Sequence, residues 1–439
     1  QELFCGRGVL FIGSGISVES KFESWKDLLH HFAGELELDL HDSDDLPLIA
    51  QYIVNKHNGN RGALVNFIID NYTATEENKP NRFHDIIRNT NVSTIWTTNF
   101  DILLEQSFGR FPISVKTNDD MISRYSSPNE VEVIKMHGCV CSSRKDEIVI
   151  TQEDYENYAF NRPATVQRLR NDLLTKSFLF VGYSMRDSNI RHILTEVRRL
   201  ANKSTKKHYL ILETKCTPDE ELRQSLWCDD LKRIGVHTYC HKYQDYNDLY
   251  DILSCIASKS RGVTIYVTGS HANQHDLLAE ELGRQLAAIR GLILINGQSE
   301  GIGKTVTESF MNEAINKQID ISKRIKFFYN PYSANSSFSN DESLVPEFKK
   351  WRAKLFQSTQ LVVVFDGGMG TKAELEIAME SNCAILPVPN AKSEFIQSLI
   401  SDTRIINRLN EFDKTYVSKM QTGSVTIEDI IKCINHMLT

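Results

Sequence analysis

The chain has 439 residues, 41% hydrophobic and 24% charged, and its 50 lysines and arginines against 57 aspartates and glutamates give a net charge of −7. This length accommodates two α/β domains of ordinary size. The acidic balance and the lack of a basic stripe interleaved with aromatic residues argue against nucleic acid as a partner, and no apolar run reaches the ~20 residues that span a bilayer.

Apolar runs alternate with amphipathic stretches in the first half of the chain, as expected for a doubly wound parallel sheet. The predicted strands are 9–12, 94–97, 132–136, 178–181 and 209–212, and the predicted helices include 25–36, 189–200 and 218–234. Residues 41–88 have helical periodicity and are predicted to form an inserted or capping layer.

A polar segment at 258–262 precedes a fresh apolar strand and is the predicted boundary between a domain at 1–258 and a domain at 262–439. The second set of strands is predicted at 263–267, 292–295, 325–329, 361–365 and 384–388. The predicted fold class is α/β, with a Rossmann-like domain carrying a helical insertion and then a second Rossmann-like domain. The Ser- and Asn-rich loop 332–342 is a candidate flap over a ligand.

Nine cysteines occur, with no C-x-x-C pair and no regular framework of short spacings. This usage is typical of a reduced, intracellular protein without a structural zinc site. We therefore expect a cytoplasmic protein that binds no metal and no membrane. Cys139 and Cys141 are interpreted as packing residues or inert thiols.

Polar and glycine-rich turns follow several of the predicted strands of the first domain. The first strand leads into Gly-Ser-Gly-Ile-Ser at 13–17, a turn that lets backbone N–H groups approach a phosphate but is common to many nucleotide-binding folds. Later strands end in Thr-Thr-Asn-Phe-Asp at 97–101, Lys-Met-His-Gly at 135–138 and Val-Gly-Tyr-Ser-Met-Arg-Asp at 181–187. Ligands bind at the carboxyl ends of parallel strands, so we expect these turns to form one site.

In this order the motifs resemble the sirtuin (Sir2) family, over residues 5 to 255 or so. The resemblance implies a Rossmann-like domain that binds NAD, with Asn99 and His137 at the catalytic positions. It also implies that Asp101 supports the nicotinamide-ribose side of the pocket. The NAD-binding residues implied are Gly13, Ser14, Gly15, Ser17, Asp101, Gly182 and Ser184.

The chemistry of NAD cleavage fits these residue types. Breaking the nicotinamide glycosidic bond develops oxocarbenium character at the ribose, which requires oriented dipoles near the sugar and a base. An asparagine amide holds a water or hydroxyl without adding charge, and a histidine, whose unperturbed pKa is about 6.5, can act as a neutral base at pH 7.

Two features of deacylating sirtuins are missing here: the paired C-x-x-C zinc ligands and the Pro-Asp-Phe-Arg type of loop after the first glycines. Their absence from the sequence favours water over acyl-lysine as the acceptor. The predicted reaction is NAD+ hydrolysis to nicotinamide and ADP-ribose. An NAD-dependent protein deacylase with a regulatory nucleotide-binding domain is the alternative.

The second domain carries a glycine-rich segment at 301–305, Gly-Ile-Gly-Lys-Thr, that invites comparison with a P-loop. The P-loop motif requires glycine at position 298, which is Gln298, and the segment follows the second strand of its domain. A P-loop ATPase switch is therefore disfavoured.

Residues 366–374, Asp-Gly-Gly-Met-Gly-Thr-Lys-Ala-Glu, instead resemble the P-G-G-x-G-T-x-x-E signature of the LOG proteins and the SLOG sensor superfamily. Asp366 replaces the proline. That change, and the fusion to an NAD-cleaving module, favour a sensor over a catalytic role. The activator-binding residues implied are Gly269, Ser270, Gly301, Gly303, Lys304, Arg352, Gly367, Gly368, Gly370, Thr371 and Glu374.

A Sir2-like domain fused to a SLOG domain resembles the effector NADases of the bacterial Thoeris anti-phage systems. This resemblance implies activation by a cyclic ADP-ribose isomer that a partner TIR-domain protein makes after infection. It also implies depletion of cellular NAD+ and assembly as a homo-oligomer, with a tetramer expected.

Overall fold

The computed structural model divides into two compact units, one of Gln1–Arg88 with Val92–Ala257 and the other of Asn89–Asn91 with Ser258–Thr439. The residues described are 2–22, 25–41, 44–73, 75, 77–127, 130–142, 147–185, 187–200, 206–242, 244–269, 277–298, 300–328, 345–390 and 392–438. Each unit is built around a parallel sheet, which confirms the predicted α/β class. No helix in these ranges has the length and apolar character needed to cross a bilayer.

The sheet of the first unit is formed by β1 (Gly8–Ile12), β2 (Thr94–Thr97), β3 (Ile113–Lys116), β4 (Val131–Lys135), β5 (Ser177–Val181), β6 (His208–Glu213) and β7 (Val236–His241). Their order is β3-β4-β2-β1-β5-β6-β7, and every pairing is parallel. The five predicted strands are confirmed to within a residue or so. The edge strands β3 and β7 were not predicted, because their partly exposed residues make no continuous apolar run.

Helices cover this sheet and fill the chain between β1 and β2. The helices of the first unit are Trp25–Leu36, Leu46–Lys56, Gly62–Tyr72, Arg82–Asn89, Leu103–Phe108, Asp119–Ile122, Gln152–Glu156, Tyr158–Asn161, Pro163–Thr175, Ser188–Leu200, Pro218–Arg233 and Tyr246–Ser260, with a 3-10 helix at Ser14–Ser20. The helices within 41–88 confirm the predicted insertion, and buried Leu28, Ile53 and Ile68 belong to its separate apolar core.

The second unit contains β8 (Thr264–Thr268), β9 (Ile293–Asn296), β10 (Ile325–Phe327), β11 (Leu361–Val364) and β12 (Ala384–Pro387). They pair in parallel in the order β10-β9-β8-β11-β12. Its helices are Leu277–Ala288, Ile302–Asn316, Val345–Gln357, Met369–Glu380, Glu394–Ile400, Thr403–Phe412, Lys414–Thr422 and Ile427–Leu438, with a 3-10 helix at Ile321–Lys323.

Two local predictions need comment. The segment 258–262 was predicted to be a polar loop, but its first three residues complete the helix Tyr246–Ser260. The short polar run resembled a linker because it forms the last turn of a helix, where polar residues are common. The candidate flap 332–342 lies outside the described residues.

Candidate active site

Strand register places the two predicted catalytic residues at one level of the first sheet. β2 and β4 are neighbours, and their last residues, Thr97 and Lys135, are register partners. Asn99 and His137 each come two residues after these partners. Both residues therefore leave adjacent strands at the carboxyl edge of the sheet, where ligands of open α/β folds bind.

Three glycines let two turns cross where the strand order reverses, between β1 and β5. Gly13 N donates to Val181 O at 2.9 Å, and Gly15 N donates to Gly182 O at 2.9 Å. A Cβ on Gly15 would lie 2.8 Å from Gly182 Cα, and a Cβ on Gly13 would lie 2.3 Å from Gly182 O. The φ of +62° at Gly182 also favours glycine. These glycines are thus required for turn packing, whatever ligand binds there.

Asn99 has an unsatisfied hydrogen-bond acceptor, Oδ1, at the carboxyl edge of the first sheet. Its backbone N–H donates to Thr97 Oγ1 at 3.0 Å, and its Nδ2 donates to Gly13 O at 3.3 Å. Its Oδ1 is buried and has no hydrogen-bond partner among the described residues. Because buried polar atoms are normally paired, this oxygen is suited to accept from a water or a ligand hydroxyl.

His137 is buried and lies against an aspartate that was not predicted as a site residue. Its Nε2 is 3.3 Å from Asp187 Oδ2, although the two groups are not oriented for a hydrogen bond. The rings of Tyr155 and Tyr158 meet the imidazole edge to face, with centroid distances of 5.4 and 6.1 Å. Tyr158 is itself fixed, since its hydroxyl donates to Met136 O at 2.8 Å.

Asp101 is buried and bonded within the protein. Its Oδ1 accepts from Leu103 N at 3.0 Å and its Oδ2 from the Ser17 hydroxyl at 3.4 Å. Its carbonyl oxygen accepts from Lys135 Nζ, which also lies 2.8 Å from Glu105. Burial lowers the pKa of Lys135, but the neighbouring acidic groups, with Glu105 foremost, together raise it more, so the ammonium stays charged. These bonds join Asp101 to the first turn, and a direct contact between Asp101 and NAD stays a prediction.

A cavity of ≈ 320 Å³ borders the segment around His137. Its lining includes Tyr158 and Val149, and Val149 N donates to His137 O at 3.0 Å. Asp119 and Arg162 also line it, and Asp119 caps the helix Pro163–Thr175 through Ala164 N. The cavity therefore adjoins the backbone that carries the predicted base.

In the second unit, the predicted arginine and glutamate are in direct contact. Arg352 Nη2 lies 2.9 Å from Glu374 Oε1, and both side chains are largely buried. Glu374 Oε2 also accepts from Thr268 Oγ1 at 3.2 Å and from the Tyr266 hydroxyl at 3.5 Å. A Cβ on Gly297 would lie 2.9 Å from Arg352 Nη1. The group lies at the carboxyl end of β8, next to β11, where the order of this sheet reverses.

The glycine turn after β11 begins the helix Met369–Glu380, whose N-cap is Gly368. Gly367 N donates to Asp366 Oδ1 at 2.7 Å, and a Cβ on Gly367 would lie 2.5 Å from Thr371 Cβ. Gly368 and Gly370 have open space where a Cβ would stand, so packing does not require glycine there. This leaves room for a ligand to approach the backbone at a helix N-terminus.

The other predicted activator-binding residues are spread over neighbouring segments. Gly301, with φ +83°, is the N-cap of the helix Ile302–Asn316. Gly303 lies in the first turn of that helix. Lys304 is half exposed and pairs at 3.1 Å with Glu300, which precedes the helix. A Cβ on Gly269 would lie 2.9 Å from Ile302 Cγ1. Ser270 lies outside the described residues.

Cysteine, histidine and acidic side chains are the usual protein ligands of metal ions. Within the described ranges, no group of three or more His, Cys, Asp or Glu side chains is placed to hold a metal ion. Cys139 is buried and Cys141 is exposed. That the chain works without a metal stays a prediction.

Comparison with known proteins finds a matching family model and several named relatives. Residues 93–232 match the family model of the SIR2-like domain. Over 336 residues the chain is 30% identical to the NAD(+) hydrolase ThsA of Enterococcus faecium, covering 71% of this chain and 69% of that protein. The chain belongs to the ThsA family. It is also 25% identical to the NAD(+) hydrolase ThsA of Bacillus cereus (strain MSX-D12) over 476 residues, covering 99% of this chain and 95% of that protein.

A more distant relative is Defense-associated sirtuin 2 of Bacillus subtilis, 29% identical over 217 residues, which are 47% of this chain and 21% of that protein. The alignment with ThsA of Bacillus cereus covers both units, so the second unit is part of the ThsA relationship. Membership of the ThsA family confirms the predicted resemblance to Sir2-type effectors.

Sequence reasoning missed one residue of this candidate site. Asp187 ends the motif at 181–187 but was given no role, because an aspartate just before a helix is expected to act as its N-cap. Its Oδ1 does accept from Asn189 N at 2.8 Å and Ile190 N at 3.2 Å. The contact of Oδ2 with His137 joins two strand ends that are 50 residues apart in sequence, and nothing local signals it.

Proposed function

We propose that the first unit, within residues 1–258, hydrolyses NAD+ to nicotinamide and ADP-ribose. The ThsA relatives are named NAD(+) hydrolases. The observation that carries the proposal is the buried, unsatisfied Oδ1 of Asn99, one strand away from His137 at the edge of the sheet. This arrangement supplies a neutral dipole and a base at the place where the fold binds a nucleotide.

In this reaction the bond between the nicotinamide nitrogen and C1′ of the ribose breaks, and its electron pair returns to the pyridine ring. A water oxygen bonds to C1′ and loses a proton. Asn99 orients the water or a ribose hydroxyl through Oδ1, and His137 accepts the proton before releasing it to solvent. Nicotinamide, ADP-ribose and one proton are the products.

The glycine turns are proposed to bind the pyrophosphate of NAD+. The N–H groups of Gly13 and Gly15 already donate to the β5 turn. We therefore assign the direct phosphate or ribose contacts to the hydroxyls of Ser14 and Ser184, which are both exposed on these crossing turns. The crossing itself holds the two hydroxyl-bearing segments together.

The second unit, within residues 262–439, is proposed to bind a cyclic ADP-ribose isomer that a partner TIR-domain protein makes, and to activate hydrolysis. Support comes from the buried contact of Arg352 with Glu374 and from the open glycine turn at the helix that begins beside it. An activator of this kind must bind the active state more tightly than the inactive one. We further propose that the chain assembles as a homotetramer and depletes cellular NAD+ during phage infection.

The test is to incubate the purified chain with NAD+, with and without cyclic ADP-ribose isomers, and to follow nicotinamide and ADP-ribose by chromatography. We expect equimolar release of both products, accelerated by one isomer. A parallel reaction contains an acetyl-lysine peptide. Nicotinamide release only in the presence of that peptide would overturn the proposal in favour of a deacylase, and an unchanged rate with every isomer would overturn the sensor assignment.

A further inference from the structure

Asp187 and His137 form a buried pair across the carboxyl edge of the first sheet. His137 follows β4 and Asp187 follows β5, and these strands are separated in the sheet by β2 and β1. Both side chains are almost completely buried, and Nε2 and Oδ2 lie 3.3 Å apart. The pair therefore spans the point where the strand order reverses, which is the site proposed for NAD+.

We infer that Asp187 is a positioning residue that orients His137 and stabilises its protonated form during NAD+ cleavage. This inference rests on the hydrolysis proposed above. Neither His137 Nε2 nor Asp187 Oδ2 has a hydrogen-bond partner among the described residues, and each is the nearest oppositely charged group that the other contacts. The buried Tyr183 hydroxyl interacts with the same carboxylate. Contacts of this length in an empty site commonly shorten when the substrate binds.

Backbone N–H groups at the start of the following helix fix the carboxylate of Asp187. Its Oδ1 accepts from Asn189 N and Ile190 N at the start of the helix Ser188–Leu200, which fixes the plane of the group and leaves Oδ2 for His137. A helix N-terminus also favours the charged form of a carboxylate. Asp187 therefore presents one oriented anionic oxygen to the imidazole.

The backbone before Asp187 is strained. Buried Met185 has φ +56°, in the left-handed region that residues other than glycine rarely adopt, and Gly182 has φ +62°. A left-handed backbone at a residue other than glycine is concentrated at functional sites. Met185 lies in the segment after β5 that crosses the first turn at Gly182.

The aromatic hydroxyls around the His137–Asp187 pair are neutral. Burial raises the pKa of the hydroxyls of Tyr155, Tyr158 and Tyr183, and the charge of Asp187 raises it further, so these tyrosines stay neutral. Two other charged groups lie on the adjoining segments. Asp154 pairs with Arg61 at 2.8 Å, and Arg162, whose charge lowers the pKa of Tyr158, donates to backbone carbonyls.

The chemical role follows from this arrangement. When Nε2 carries the proton and faces Asp187, the other ring nitrogen is the basic one, so the carboxylate selects a single tautomer of neutral His137. When His137 takes the proton of the attacking water, the adjacent carboxylate stabilises the imidazolium. Asp187 stays ionised throughout, as the aspartate does in serine-protease triads.

The experiment compares Asp187→Asn and Asp187→Ala with the matched control Asp245→Asn. Asn at 187 keeps the size and the helix cap but removes the charge. Asp245 Oδ1 accepts from Asn247 N and Asp248 N in the same pattern at the helix Tyr246–Ser260, away from His137. We expect kcat to fall at least ~10²-fold in both Asp187 variants with KM little changed, and to be parental in Asp245→Asn.

A further readout separates orientation from folding. The ¹⁵N chemical shifts of the His137 ring should show one tautomer in the parent and a mixture in Asp187→Asn. Parental kcat in Asp187→Asn, or an unchanged tautomer, would overturn the inference. The tautomer is measured without NAD+, so it tests the role of Asp187 independently of the reaction. If the proposed hydrolysis is wrong, the parent protein will release no nicotinamide.

Discussion

Arg352 and Glu374 form a largely buried ion pair, 2.9 Å between Nη2 and Oε1, that joins two helices of the second unit. Thr268 at the end of β8 donates to the same glutamate at 3.2 Å. A buried ion pair commonly contributes little net stability, since desolvation offsets the attraction. Its position at the reversal of strand order, beside an open glycine turn, favours a role in ligand binding.

The first prediction is that Glu374→Ala weakens binding of the activating cyclic ADP-ribose isomer and abolishes activation, while basal NAD+ cleavage is retained. Contacts made only at the second site supply the coupling, which is typically 5- to 150-fold, or about 1 to 3 kcal/mol. Arg352→Ala should act in the same direction. Calorimetry and nicotinamide release measure the two effects.

The matched control for that prediction is Glu376→Gln, on the exposed face of the same helix. It should bind and respond as the parent does. If Glu374→Ala also binds and responds normally, the pocket of the second unit lies elsewhere or the unit is not a sensor.

The second prediction concerns the first unit: Asn99→Ala and His137→Ala should each reduce nicotinamide release by ~10²-fold or more. One variant removes the oriented Oδ1, and the other removes the base. Chromatography of the products measures activity, and thermal unfolding checks that the fold is kept. His192→Ala, which changes an exposed histidine, serves as control. Parental rates in both site variants would show that the catalytic assignment is wrong.

The third prediction tests the crossing of the two turns. Gly15→Ala places a Cβ 2.8 Å from Gly182 Cα, a backbone atom that cannot move aside alone. We expect a loss of about 1 to 3 kcal/mol in the free energy of unfolding, together with weaker NAD+ binding. Gly34→Ala, in the helix Trp25–Leu36 with nothing within 4 Å of its Cβ, should be neutral or slightly stabilising. Equal stability of the two variants in denaturant titrations would contradict the packing role.

The fourth prediction concerns pH. Burial lowers the pKa of His208 to about 4, and its Nδ1 accepts from Phe178 N, which requires the neutral ring. Below an unfolded pKa of about 6.5 the unfolded chain binds a proton that the folded chain does not, so stability falls with falling pH down to about 4. The slope from this residue approaches ~1.4 kcal/mol per pH unit.

His208→Asn removes this titration and retains an acceptor near the position of Nδ1. The variant should therefore be less stable at pH 7 but lose less stability between pH 6.5 and pH 4 than the parent does. Urea titrations at several pH values give both slopes. Parallel curves for parent and variant would show that His208 does not contribute to the acid sensitivity.

The sequence by itself determined the strand and helix pattern and the order of the motifs. Continuous apolar runs such as 9–12 and 361–365 must be buried, and the polar or glycine-rich turns after them fall at the ligand-binding edge of a parallel sheet. Asn99, His137 and Glu374 could be predicted as site residues because each lies in a short motif that can be recognised in the sequence. The edge strands β3 and β7 could not be predicted, because their partly exposed residues do not form an apolar run.

The tertiary structure alone decided which of these turns meet. Gly182 is in contact with Gly13 and Gly15 because β1 and β5 are neighbours, although some 170 residues separate them. The contact of Asp187 with His137 arises in the same way, from register and strand order. Such long-range contacts depend on the free energy of the whole packed sheet and not on local preference, so no short stretch of sequence encodes them.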